Sequence, residues 1–216
     1  FLKSKLDTQK RFRDKTIGLH NFKKEMPHLD NIQKKGYVLE FGHLSRDKGT
    51  DTLLEVAKKM PNTEFVFIGY GPSTDKMKDI PNVKYLGFKT GEELYRIIAE
   101  AAISVCPSEW YENCPYSVME SVLLGTPVVG SKMGGIPELI EASKTGELFE
   151  AGNVEELMKA IQKILHTSDT LEKYTDNCKM VQYETTESYY EKLIRIYQGW
   201  KPENRLYNRS KRIEQC

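Results

Sequence analysis

The chemistry most worth following in this 216-residue chain lies in the stretch Pro107-Ser108-Glu109-Trp110-Tyr111-Glu112-Asn113-Cys114-Pro115-Tyr116-Ser117-Val118-Met119-Glu120. The stretch leaves an apolar run, passes through a turn and enters a helical pattern, with Glu112 before the helix start and Glu120 inside it. Proline suits the first helical position, where its missing N–H costs nothing, so Pro115 marks the start. The N–H groups that follow and the helix dipole favour an anion such as phosphate. Carboxylates accept hydrogen bonds from sugar hydroxyls. Eight helical residues would span roughly 12 Å, an upper bound for a segment that is partly turn. The acid/base pair of a glycoside hydrolase stands closer, about 5–9.5 Å apart. The spacing suits the two ends of a long ligand, such as a nucleotide sugar, better than the two sides of one bond. A surface carboxylate beside a capped helix is the bland alternative.

A second segment, Phe41-Gly42-His43-Leu44-Ser45-Arg46-Asp47-Lys48-Gly49, joins an apolar run to a helix through a turn with three potential cations. Lys48 stands just before Gly49 and the helix start, where an ammonium can reach a diphosphate as a point charge. The alternative is a solvated turn. The glycine spacing and the Lys-Ser/Thr pair of a Walker A loop are absent. Gly69-Tyr70-Gly71-Pro72 lacks the third glycine of a dinucleotide fingerprint. Gly134-Gly135 would let backbone approach a ligand closely, or form an ordinary loop. No Asp-x-Asp occurs, so the usual carboxylate pair for a metal-bridged diphosphate is missing and no metal is expected. A lysine and a helix N-terminus would neutralise the diphosphate instead. His20, His28 and His166 lie outside the glycine-rich loops and read as surface or satisfied residues.

The elements that must hold these groups can be read from periodicity. Apolar runs at Tyr37–Phe41, Glu64–Gly69, Val83–Leu86, Ala102–Cys106, Pro127–Gly130 and Gly146–Phe149 read as strands. Between and after them, helical patterns fall at Thr50–Met60, Ser73–Lys78, Glu92–Ala101, Pro115–Leu124, Ile136–Ile140, Val154–Leu165, Leu171–Met180 and Glu187–Gln198. Alternation of this kind predicts an α/β fold, a Rossmann-like parallel sheet with helices on both faces, followed by C-terminal helices. Ligands of such sheets bind outside the carboxyl ends of the strands, where both candidate segments lie. On the last helix, Tyr189, Tyr190, Leu193, Ile194 and Tyr197 form a stripe that reads as packing.

Composition narrows the class. The chain is 39% hydrophobic and 29% charged with a formal net charge of +1, as in a globular protein without the basic excess of a general nucleic-acid binder. No apolar run reaches the roughly 20 residues of a membrane-spanning helix. Cys106, Cys114, Cys178 and Cys216 form neither a CxxC pair nor zinc-ligand spacing with histidine, and read as reduced thiols of a cytoplasmic protein. Phe1–Lys15, rich in lysine and arginine, reads as a solvated surface helix rather than a membrane-surface one.

Taken in order, these motifs resemble the donor-binding half of a GT-B glycosyltransferase of family 4, the group 1 glycosyl transferases. The resemblance covers about Ile17 to Leu165. Gly42 to Gly49 is similar to the family's Gly-Arg-Leu…Lys-Gly loop, and Ile68-Gly69-Tyr70-Gly71-Pro72 to its Gly-x-Gly-Pro turn. Val83-Lys84-Tyr85-Leu86-Gly87-Phe88 resembles the strand beside the base pocket, and Glu112 to Glu120 the Glu-x7-Glu signature. Gly125-Thr126-Pro127-Val128-Val129 and Gly134-Gly135-Ile136-Pro137-Glu138 complete the set.

The resemblance implies a nucleotide-diphosphate sugar as substrate, no cofactor and no metal. It implies that Lys48 contacts the diphosphate and that Glu120 binds the ribose. Glu112 would sit by the donor sugar, with backbone of Asn113, Cys114, Pro115 and Tyr116 near sugar and phosphate. Backbone around Gly87 and Phe88 would hold the base. Glu112 and Lys48 would be the catalytic pair, with Gly42, His43 and Arg46 completing the donor loop. His43 stands where the family usually carries arginine, which would weaken diphosphate binding or make it pH-dependent, unless Arg46 substitutes.

The implied activity is retaining transfer of a hexose-type sugar to a glycan or lipid-linked acceptor, in cell-surface polysaccharide or glycoconjugate synthesis. A sugar-nucleotide epimerase and a non-catalytic nucleotide-binding scaffold are the alternatives; a phosphorylase would need a pyridoxal-phosphate lysine that the motifs do not identify. The resemblance also implies a division of the chain. Residues 1–21 would be a connector from a missing N-terminal acceptor-binding domain, 22–185 the nucleotide-sugar domain, 186–200 a C-terminal helix and 201–216 a polar, poorly ordered tail. The isolated chain would then bind donor with little transfer. The full-length enzyme would touch the inner face of the membrane peripherally.

Overall fold

All six apolar runs become strands, and all six pair in parallel. In the computed structural model, which describes residues 1–13, 15–23 and 26–199, they are β1 (Val38–His43), β2 (Phe65–Tyr70), β3 (Val83–Tyr85), β4 (Ile103–Cys106), β5 (Val128–Ser131) and β6 (Gly146–Phe149). Their order across the sheet is β3-β2-β1-β4-β5-β6. The chain winds outward from β1 in one direction and, after crossing back to β4, outward in the other. The crevice where the order reverses therefore opens between the carboxyl ends of β1 and β4. The Gly42–Gly49 and Pro107–Pro115 segments leave the sheet at those two ends.

The helices are α1 (Leu2–Asp7), α2 (Thr50–Lys59), α3 (Gly91–Glu100), α4 (Tyr116–Leu123), α5 (Ile136–Ile140), α6 (Val154–Leu165), α7 (Ser168–Lys179) and α8 (Thr186–Tyr197), with a 3-10 turn at Pro72–Met77. Strand faces carry the core on both sides, as the near-continuous apolar run of β2 predicts. One layer packs Val38, Phe65, Phe67, Ile103 and Val105 against Leu53, Val56 and Ala57 of α2 and Leu157, Ile161 and Ile164 of α6. Behind the sheet, Leu39, Val66 and Ile68 pack with Ile98 of α3, and Val128 with Val118, Met119 and Val122 of α4. Asn153 starts α6 by accepting the Glu156 N–H on its side chain at 3.1 Å.

Two compact units can be separated, Glu25–Tyr183 with Phe1, and Leu2–Lys24 with Glu184–Cys216. In the second, Lys23 N–H bonds the Glu184 carbonyl at 2.9 Å, and the Phe22 and Tyr189 rings lie 4.8 Å apart. A capping box at Thr185 and Ser188 starts α8.

Several sequence expectations need correction. The first helix ends at Asp7 instead of running to Lys15: Thr8 turns its hydroxyl onto the Lys5 carbonyl, a local bond that competes with helix. On α8 the packing stripe is narrower than expected. Tyr189, Leu193 and Ile194 are half-buried, whereas Tyr190 and Tyr197 are exposed. Tyr190 follows Tyr189 directly, and neighbours one apart on a helix do not share a face. The tail 201–216 and Trp200 lie outside the described residues.

Candidate donor-binding site

Lys48 and Glu112, distant in sequence, meet at the switch-point crevice: Lys48 Nζ donates to Glu112 Oε1 at 2.5 Å. Each is delivered by a turn with its own scaffold. Around Lys48, the N–H groups of Lys48 and Thr50 both bond the Ser45 carbonyl, and Gly49 N–H bonds Arg46. Gly49 adopts φ +80°, and a Cβ there would lie 1.9 Å from the Pro107 carbonyl oxygen, so the turn rests directly on the end of β4. The Glu109 N–H bonds the Asp47 carbonyl at 2.9 Å, tying the two turns together.

Glu112 is held from below. Ser108 donates its hydroxyl to Glu112 Oε1 at 3.1 Å and to the Trp110 carbonyl at 3.0 Å, and accepts the Trp110 N–H at 3.3 Å. Ser131, buried at the end of β5, fixes the Ser108 carbonyl at 2.6 Å. From the other side comes Gly134-Gly135. Gly135 N–H bonds the Glu112 carbonyl at 2.7 Å, and a Cβ on either glycine would lie 2.0 Å from a carbonyl oxygen, that of Glu112 or of Asn113. Of the two readings of the pair, close approach to a ligand or an ordinary loop, neither names what comes near here: the backbone of the motif segment itself.

The helix start is also shifted. Pro115 is the N-cap, with φ −69° and ψ 126°, not the first helical residue; its carbonyl accepts the Met119 N–H at 3.4 Å and α4 begins at Tyr116. The N-terminal N–H groups of an α-helix point out of its end, and the end of α4 follows directly on the Glu112 turn. Glu120 lies in the second turn of α4, half-buried. Cys114 is buried, its thiol 3.8 Å from Met119 Sδ, so its side chain belongs to the core and only its backbone can serve a ligand.

Beyond β1, β2 and β3 the crevice is aromatic. His43 and Tyr70 are paired in the β1–β2 register, with ring centroids 5.4 Å apart, and Tyr70 stands 5.9 Å from Phe88. Tyr70 and Phe88 are 62% and 64% exposed. Gly87, at φ +71°, receives the Gly69 N–H on its carbonyl at 2.9 Å, which fixes the start of the Phe88 segment. Gly42 continues β1 and is exposed at its end.

Arg46 lines a recess of about 360 Å³ over α2, with Asp51, Glu55, Lys58, Lys76 and Glu109 among its walls. The structure therefore joins Lys48 to Glu112, and His43 to the Phe88 side through Tyr70. Sequence reading missed Ser108, Ser131 and Tyr70. The serines carried one signal: a Ser two residues before Trp110 and four before Glu112 is placed to cap a turn.

A cation paired to a carboxylate thus stands at the turn before α4, and exposed rings stand at the ends of β1 and β2. The chain matches the family "Glycosyl transferases group 1" across residues 21–181, and it belongs to that family. It is 33% identical to the sulfoquinovosyl transferase SQD2 of Arabidopsis thaliana over 146 residues, 64% of this chain and 28% of the relative. It is 29% identical to the amylovoran biosynthesis glycosyltransferase AmsK of Erwinia amylovora over 164 residues, 68% of this chain and 40% of that protein. The chain thus spans well under half the length of either relative. Among solved structures, TarM superposes with a TM-score of 0.70 at 21% identity, covering 82% of this chain and 38% of TarM. Anabaena Alr3699/HepE, solved in complex with UDP, superposes at 0.68 and 22% identity, covering 76% of this chain and 49% of HepE. These likenesses show the fold alone, a Rossmann-like parallel α/β sheet of the GT-B kind.

Proposed function

We propose that this chain is the donor-binding half of a retaining glycosyltransferase that takes its sugar from a nucleoside diphosphate. The observation that carries the reading is the Lys48–Glu112 pair, placed at the switch point beside the N-terminus of α4. Lys48 can exchange Glu112 for the donor diphosphate, and with the helix N-terminus it stabilises the charge that develops as the diphosphate leaves. Glu112, released, accepts hydrogen bonds from the sugar hydroxyls. Glu120 serves the ribose, and the rings of Tyr70 and Phe88 with the Gly87 backbone serve the base. Asn113, Cys114, Pro115 and Tyr116 contribute backbone groups along the sugar and phosphates. The reaction class needs no metal in this reading, because lysine and helix dipole replace one.

The solved complex of HepE with UDP-glucose supports a uridine donor as the first to test. The acceptor, a glycan or lipid-linked sugar, would be bound by a second Rossmann-like domain, with residues 1–21 the connector to it. Alone, the chain would bind donor and transfer little. The test is a thermal-shift screen against UDP-, GDP- and ADP-sugars. A donor of one base raises the melting temperature, and Lys48→Ala loses the effect, because a ligand stabilises only the state that binds it. No shift with any donor would overturn the reading.

A further inference from the structure

Among the described residues, Glu40 is the one charged residue that is buried. It sits on the central strand β1 and is 4% exposed, between Phe67 across the β1–β2 register and the N-terminus of α2. Its Oε1 accepts the Thr50 hydroxyl at 2.7 Å, and its Oε2 is buried with no hydrogen-bond partner. Thr50 is the first residue of α2 and closes the turn that carries Lys48, through its N–H bond to Ser45 at 3.2 Å. A carboxyl has thus been placed under the turn, with no cation bonded to it.

We propose that Glu40 is a positioning residue that works as a neutral acid: it anchors the Lys48 turn from below while leaving the positive field of Lys48 and the α2 N-terminus undiminished for a donor diphosphate. Ionised, it would offset that field from inside the protein, where charge is poorly screened. The inference rests on the donor-site reading above. Burial pushes the Glu40 carboxyl up to about 8, against the Thr50 hydrogen bond, which favours the ionised form, and with Asp51 adding to the rise. The titratable groups around it are Asp51 on α2, Cys106 on β4 with Glu112 beyond, and Asp47 and Lys48 on the turn. Phe67 of β2, and Leu157 and Ile161 of the α6 layer, bring no charge. Asp51 is held below the usual carboxylate range, where burial is outweighed by the hydrogen bonds of Lys76 and Ser73. Desolvation first, then Glu112, pushes the Cys106 thiol up to about 12. Neither titrates near pH 8.

The sign follows. A carboxyl raised from 4.5 to about 8 stabilises the fold fully below pH 4.5, and that contribution is lost as pH rises toward 8. Melting temperatures of the native chain and of Glu40→Gln should therefore diverge between these values, the native chain losing roughly 5–10 °C relative to the variant. Over about pH 7 to 9, titration with UDP, GDP and ADP should show the native chain losing roughly tenfold in affinity for the nucleotide it binds, while Glu40→Gln stays flat. Glu40→Met, an apolar replacement, should match Glu40→Gln in both readouts and guards against a misfolded amide. Parallel melting curves, or affinity curves that fall equally in native and variant proteins, overturn the inference and leave the donor reading standing. No binding of any nucleotide at any pH overturns the donor reading and the functional half of the inference with it.

Discussion

The two walls of the crevice are built by opposite means. On the β4 side, Glu112 is half-hidden and fixed by Lys48, by Ser108 and, through its backbone, by Gly135. On the β1–β3 side, His43, Tyr70 and Phe88 stand exposed, and their side chains meet through ring contacts of 5.4 and 5.9 Å. A hydrogen-bonded wall is sensitive to position, because charge-assisted bonds weaken quickly with poor geometry. An aromatic wall is tolerant, because any flat base offers a face to stack. The first wall would fix the diphosphate and sugar, where chemistry occurs, and the second would hold the base, which does not react.

The strongest way to break this contrast is to wedge the rigid wall. Gly134 sits at φ +63° with Glu112 backbone where its Cβ would go, so Gly134→Ala should cost about 2–4 kcal/mol. Urea unfolding reads the loss, and donor binding should vanish with it. An equivalent glycine replacement outside the crevice, Gly125→Ala, faces open space and should keep donor binding despite its own φ of +74°. Next in size, Lys48→Ala removes the ammonium and should weaken nucleoside diphosphate binding by about 1.5–3 kcal/mol, more than tenfold, while sparing the nucleoside alone. On the tolerant wall, Phe88→Ala should cost only about 0.5–1.5 kcal/mol, and should weaken nucleoside and diphosphate equally. Calorimetry of both ligands with both variants separates the walls. The smallest effect is expected of His43→Arg, which adds a fixed cation with a planar fork at the end of β1 and should tighten nucleoside diphosphate binding slightly, by about 0.5–1 kcal/mol, while leaving the nucleoside alone unchanged. Equal diphosphate affinity in the native chain and the variant would remove His43 from the diphosphate's surroundings.

The parts of this architecture written in short-range pattern were legible. β2 reads as a buried strand from Phe65-Val66-Phe67-Ile68, and α6 from its apolar spacing, because period and burial are local properties of the sequence. Glu112 and Lys48 were legible as candidates through the motifs that flank them. Their contact was not, since 64 residues separate them and only the crossover from β1 to β4 brings them together. The role of Gly134-Gly135 was hidden for the same reason: a glycine says that something comes close without saying what. Ser108 and Ser131 are ordinary residue types whose value lies in which carbonyl they reach. Glu40 read as one residue of an apolar run, and only the packing of α2 over β1 shows it to be a buried acid.

The central claim is that one ligand is gripped at its diphosphate by Lys48 and the α4 N-terminus. Calorimetric titration of UDP against uridine, in the native chain and in Lys48→Ala, tests it most directly, with GDP/guanosine and ADP/adenosine as the parallel pairs. The account predicts that for one base the native chain binds the diphosphate at least about tenfold more tightly than the nucleoside, and that Lys48→Ala erases the difference. Equal affinity for diphosphate and nucleoside in the native chain, or an undiminished preference in Lys48→Ala, would contradict it.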